Sequence, residues 1–189
     1  MLKRITDALY RITGRNAFII ALMVYAVFGL YVMPQGLAKI QALSGREVKV
    51  LDLQYAYTPV QARAWLSEYT DVSREYAARF DLVEDSVYPV VYTALFLVMI
   101  SWLCRSLEMY GLRLRYLLLL PLAVMLIDYC ENQGNAHMLR SYPYFSDRVA
   151  VFTSALTTAK WTLVGIEGLV LIVGVCVLVY YRSAKGQRR

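Results

Sequence analysis

The sequence predicts an all-α integral membrane protein: a four-helix bundle with its N and C termini cytoplasmic and an extracytoplasmic helical cap between spans 1 and 2. Three observations predict it. Apolar residues make up 59% of the 189 positions and charged residues only 18%, far from the balance of soluble domains. Four apolar stretches stand out, at 17–33, 87–104, 114–127 and 149–181, and Lys and Arg gather on one side of them.

Each span follows from length. A hydrocarbon layer about 30 Å thick, crossed at about 1.5 Å per residue, needs about twenty residues. The spans are therefore expected at about 17–34, 86–104, 113–132 and 149–181, within a single membrane domain, 1–189. The third has to include its own polar end, and the fourth is long enough to tilt or project. Orientation follows from Lys3, Arg4, Arg11 and Arg15 before span 1, Arg105, Arg113 and Arg115 between spans 2 and 3, and Arg182, Lys185, Arg188 and Arg189 after span 4. Only Asp7 and Glu108 stand against them, so those segments are expected inside. The net charge of +6 is then a topology signal and an attraction to anionic membrane lipids. No nucleic-acid-binding motif is present.

Before span 1, Leu2, Ile5, Leu9 and Ile12 share one helical face, the pattern of a helix in the inner headgroup layer. The apolar run after it is longer than a signal peptide requires and is read as an uncleaved anchor. Pro34, Gly36, Ser44 and Gly45 mark a turn region beyond it. Thr58, Pro59 and Gln61 then read as N-cap, first-turn proline and capping-box partner. An outer helical segment is expected at about 59–85, its apolar stripe formed by Trp65, Tyr69, Val72, Tyr76, Phe80, Val83 and Val87, with Asp71 and Ser73 as a point of division. Its opposite face carries Asp81, Glu84, Asp85, Tyr88 and Tyr92. The plain reading is a wet face; the alternative is that this face turns inward and lines a hydrated cavity. Pro89 weakens the helix there.

In span 3, Asp128, Glu131, Asn132 and Asn135 fall at offsets of zero, three, four and seven, a single polar stripe on a helix. Pro121 should bend that helix, and His137, the only histidine, points to the other side as an exposed residue. Span 4 contributes Ser154, Thr157, Thr158, Lys160 and Glu167. Heights counted from the cytoplasmic ends match Lys160 with Glu131 and Asn132, and Glu167 with Asp128 and Tyr88.

Ionisable groups inside a membrane are costly and tend to be functional, although polar networks also fix helix register. Acids outnumber bases here, so a carboxyl keeps a proton, a cation binds, or water enters. The leading expectation is a polar outer-leaflet cavity that binds a lipid-like or amphiphilic ligand through Tyr88, Tyr92, Asp128, Glu131, Asn132, Asn135, Lys160 and Glu167. The alternative is an acid-base or metal-assisted enzyme acting on a membrane lipid, with Asp128, Glu131 and Glu167 as candidate catalytic or metal-binding groups. A structural or assembly subunit and a proton- or cation-coupled transporter are the remaining readings, with a second copy or another membrane protein as partner. No cofactor is indicated. Cys104, Cys130 and Cys176 form neither a disulfide framework nor a thiolate metal site. Tyr10, Tyr110, Tyr116, Tyr180 and Tyr181 suit the inner interface, and Tyr31, Tyr69, Tyr76, Tyr129, Tyr142 and Tyr144 the outer one.

The D-x-x-E-N run from Asp128 to Asn132, Tyr142 with Pro143, and the S-x-x-T-T-x-K run ending at Lys160 resemble uncharacterised bacterial four-span inner-membrane proteins. The resemblance covers the second half of the chain and implies a bacterial inner (plasma) membrane location, with no function attached. A looser similarity, in span count and buried acids alone, is to sterol isomerase-like four-helix membrane bundles.

Overall fold

The computed structural model describes residues 7–8, 14–109, 111–112 and 114–186, and the elements found among them are helices without strands. Helix α1 (Arg15–Ser44) is followed by an irregular strap, 45–58, then α2 (Pro59–Leu66), α3 (Asp71–Leu82), α4 (Glu84–Glu108), α5 (Leu119–Ser141) and α6 (Asp147–Gly186). Three segments, Arg15–Ser44, Asp71–Glu108 and Asp147–Ala184, are long and apolar enough to cross a membrane. The second half of α5 carries the polar stripe, which dilutes its hydropathy. Leu2, Ile5, Leu9 and Ile12 of the amphipathic N-terminal reading lie outside the described residues, as do Tyr10, Tyr110, Arg113, Arg188 and Arg189.

The turn expected at Pro34 and Gly36 is absent, because α1 runs on to Ser44. A π-helical stretch, Phe28–Val32, precedes the proline and passes into an α-helix that starts with Met33 and Pro34. The wider turn accommodates a residue without an N-H. The helix stops instead at Gly45, whose φ of 71° is the left-handed cap that glycine accepts at little cost. Thr58 and Gln61 form both halves of the capping box, with Pro59 in the first turn. The division of the outer segment falls at Ser67 to Thr70, where Thr70 accepts from the Ser73 backbone N-H. Val83 separates α3 from α4.

The outer segment turns differently from its plain reading. Tyr69 and Phe80 are buried, but Val72, Val83 and Val87 of the apolar stripe are exposed. Asp81, Asp85 and Tyr92 are buried instead. The small side chains Ala77 and Ala78 let α3 close on α5, and this contact draws the acidic face inward.

Among the described residues three apolar clusters result. One joins the strap and α2–α3 to the neighbouring ends of α1, α5 and α6 through residues such as Ile40, Leu51, Tyr57, Leu66, Ala77, Met138 and Phe145. The other two gather Ile100, Cys104 and Leu118, and Leu103, Leu107 and Leu178. Close crossings set their register. A Cβ on Gly134 would overlap the Thr153 side chain, and one on Gly174 would overlap Leu103. By contrast, Arg15–Val27 of α1 contains no buried residue. Its exposed Ile20, Met23 and Leu30, with Ile172 and Val173 of α6, form apolar surface suited to lipid contact.

Gly134→Ala is expected to destabilise the protein by about 1–3 kcal/mol through overpacking, and Thr153→Ala in the same background should recover part of that loss. Chemical unfolding in detergent checks it; equal stability of Gly134→Ala and the wild type would contradict the close α5–α6 crossing.

Candidate functional site: a buried acid and lysine centre

Between these apolar clusters lies a polar layer. Helical periodicity puts Asp128, Glu131, Asn132 and Asn135 on one face of α5, and all of them are buried. The antiparallel contact of Gly134 with Thr153 fixes the register with α6. One turn below it, Thr157 Oγ1 donates to Glu131 Oε1 at 2.8 Å. A turn further, Lys160 Nζ donates to Asp128 Oδ1 at 3.1 Å and lies 2.6 Å from Glu131 Oε2. The ammonium therefore sits between two carboxyls. Lys160 is 7% exposed and Glu131 is fully enclosed, at 0%, which makes this a desolvated ion cluster.

Other elements complete the layer. From α4, Tyr92 Oη donates to Asp128 Oδ2 at 2.8 Å, and the backbone carbonyl of Asp85 accepts from Asn132 Nδ2 at 3.1 Å. The strap closes the top, because Tyr57 donates its backbone N-H to Ser154 Oγ at 2.8 Å. Thr158 Oγ1 donates to the Tyr55 carbonyl at 2.9 Å, and Trp161 Nε1 to the Asp52 carbonyl at 2.8 Å. Tyr57 Oη also reaches Asn135 Oδ1 at 3.5 Å.

Asp52 turns its side chain into this layer, and its Oδ1 is buried with no hydrogen-bond partner among the described residues. Burial pushes the Asp52 carboxyl above its ordinary value of 3.8, and Lys160 opposes part of that rise. Burial, then the negative charge of Glu131, likewise raises the Tyr57 phenol above its ordinary value of 10.0. Asp81, Asp85, Asp128 and Lys160 lie within electrostatic reach of one another. The space left beside Asp52, Asp81 and Asn135 is about 10 Å³, room for about one water.

The structure thus gathers Tyr92, Asp128, Glu131, Asn132, Asn135 and Lys160. Tyr88 and Glu167 are placed elsewhere. The expected pairing of Glu167 with Asp128 and Tyr88 fails because the register puts Asp128 opposite Lys160, about 10 Å above Glu167 along α6. Tyr88 is half-buried and stacks with Tyr25 and Phe28 of α1, at ring separations of 6.0 and 6.3 Å. Its edge contact with Tyr92 spans 5.5 Å. An aromatic row therefore connects α1 with the hydroxyl that touches Asp128.

Sequence reasoning did not identify Asp52, in the short 3-10 turn Leu51–Leu53 of the strap, or Tyr57 beyond it, whose positions carry no periodic signal. Asp81 and Asp85 were visible as a charge stripe, with an inward-turned face as the alternative to a wet one. His137 is exposed, as are Cys130 and Cys176, whereas Cys104 is buried. Among the described residues no three His, Cys, Asp or Glu side chains converge as a metal-ligand set. Comparison with family models, curated proteins and solved structures finds no match.

Lys160→Met, which leaves two buried carboxyls without their cation, is expected to cost about 3–5 kcal/mol. The triple variant with Asp128→Asn and Glu131→Gln should regain much of it in denaturant unfolding. Wild-type stability of Lys160→Met would contradict the cluster. Asp52 also gives a pH signature. Its folded value lies above the unfolded one, so the folded state holds the extra proton and stability falls as pH rises from about 4 through the folded value. Asp52→Asn should flatten that fall in a Tm against pH profile; an unchanged profile would contradict the burial of this carboxyl.

Proposed function

We propose that the chain is a four-span membrane protein with cytoplasmic termini and an outer α2–α3 cap, and that its acid and lysine centre receives the polar end of a lipid-like amphiphile. The distribution of Lys and Arg supports the orientation. We place it in a bacterial inner membrane, the location that the resemblance in its second half implies.

The observation that carries the ligand reading is the charge imbalance of the centre. Asp128 and Glu131 hold Lys160 directly, Asp52, Asp81 and Asp85 lie within its electrostatic reach, and among the described residues no other cation pairs with these acids. Such a site favours a head bearing an amine or several hydroxyl donors, which supply positive charge or protons to the surplus carboxyls. Apolar helix faces suit the tail.

A lateral entrance is also supported. Tyr25 and Phe28 cover Tyr88, Tyr88 meets Tyr92, and the Tyr92 hydroxyl touches Asp128. The π-helical stretch of α1 lies at this level, a backbone feature common at functional sites. One turn further out, a groove of about 420 Å³ opens between α1 and α3, with Tyr31, Gln35, Lys39, Phe80 and Glu84 among its walls. Entry requires α1 to lean away from Tyr88.

The enzyme reading draws on the hydrogen-bonded run Tyr92, Asp128, Lys160 and Glu131, a donor and acceptor set able to move a proton at a bound lipid. Mass spectrometry of lipid retained by the gently purified full chain tests the binding proposal. The wild type should carry a specific amphiphile, and Asp128→Asn with Glu131→Gln should lower its occupancy about tenfold or more, equivalent to about 1.4 kcal/mol. Retention by the double variant with loss of turnover would favour the enzyme reading. Only bulk lipid on the wild type would overturn both.

A further inference from the structure

The groove of about 420 Å³ between α1 and α3 has a chemistry of its own. Tyr31, Gln35 and Lys39, four residues apart, share the face of α1 that lines it, and Phe80 of α3 and Glu84 of α4 face them. Gly36 permits the crossing, because a Cβ on it would overlap the Phe80 ring.

One cation of this groove has no counter-charge. Lys39 Nζ lies 4.7 Å from the centre of the Tyr76 ring, an attraction that holds the ammonium without using its N-H donors. None of the ion pairs among the described residues includes Lys39. Glu84 is already engaged, since Arg79 donates to its Oε1 at 3.0 Å. Arg79 also approaches the Tyr76 ring, at 5.7 Å. Lys39, Arg79 and Glu84 together leave one positive charge over.

Three helices agree on the level of the groove. At about 1.5 Å per residue, Gln35 stands about 30 Å along α1 from Arg15, Glu84 about 32 Å along α4 from Arg105, and Trp161 about 32 Å along α6 from Arg182. These spacings equal the thickness of a hydrocarbon layer. With the basic residues at one boundary, Gln35, Glu84 and Trp161 mark the other, and tryptophan suits that place. Lys39 lies one turn beyond, in the headgroup zone, while Tyr31 and Val32 lie one turn back, among the tails.

We propose that this groove is a phospholipid site, separate from the acid and lysine centre. Lys39, backed by Tyr76, and the Gln35 amide hold the phosphodiester of one lipid of the adjoining leaflet, and Tyr31, Val32 and Phe80 line the start of its tails. The site does not rest on the amphiphile reading. The centre has surplus negative charge and repels a phosphate, whereas the surplus here is positive.

Photocrosslinking of the full chain in maltoside micelles tests it. The probe is phosphatidylglycerol with a diazirine beside the ester of one tail, and the control is the diacylglycerol with the same tails and diazirine but no phosphate. Peptide mass spectrometry is expected to find the phosphatidylglycerol adduct within 31–39 or 76–84, at about five times the yield of the control, the weight of one basic contact. Lys39→Gln should remove that preference at these peptides while adducts elsewhere persist. Ala38→Trp, which keeps every charge and fills the groove with an indole, should suppress the adduct there. Both positions are exposed, and whichever variant folds decides. A large excess of inorganic phosphate should leave the yield unchanged. Equal yields from both probes, an unchanged preference in Lys39→Gln, or a full adduct yield in Ala38→Trp overturns the proposal. Displacement by inorganic phosphate would assign the site to a soluble anion and overturn the lipid.

Discussion

The ammonium of Lys160, held between Asp128 and Glu131 in a layer with apolar cores on either side, is the interaction on which the other features depend. Each of these ions would be expensive to bury alone, by several kcal/mol. Together they become tolerable only in one register of α5 on α6. The small side of Gly134 against Thr153 permits that register, and Thr157 reinforces it one turn on. A slip of a single residue would rotate the acids by about 100° and strand the lysine.

The strap and α2–α3 cover one side of this layer. They contribute Leu51, Tyr57, Leu66 and Ala77 to the apolar cluster there, and the strap hydrogen-bonds to α6 through Tyr55, Tyr57 and Asp52. They also deliver further acids, Asp52 and Asp81, into a space that already holds more carboxyls than cations. Lys160 with its two partners is enough to fix helix register, and the further acids are what the proposed binding role rests on.

Much of the centre was legible from helical period. Offsets of three, four and seven bind Asp128, Glu131, Asn132 and Asn135 to one face whatever surrounds them, and an ionisable side chain such as Lys160 in an apolar run draws attention by its cost. The Thr58 and Gln61 capping box was equally local. What failed were quantities set by packing. Span ends are not fixed by composition, so matched heights were wrong by up to two turns, and Glu167 was assigned a partner that Lys160 holds. The wet face of α3 and α4 turned inward because Ala77 and Ala78 permit close approach, a tertiary effect. Asp52 sits in a single 3-10 turn too short to carry a period, and only the folded strap brings it to Lys160. The passage of α1 through Pro34 rested on a π-helical stretch that residue preference does not announce.

The most direct measurement of the central claim is a nitrogen-carbon dipolar recoupling experiment by solid-state NMR in lipid bilayers, with Lys160 Nζ and the Asp128 and Glu131 carboxyl carbons labelled. Both carboxyl carbons are expected within about 4 Å of the ammonium nitrogen, as direct ion pairing requires. Dephasing that places both beyond direct contact would mean that no such cluster exists in the membrane.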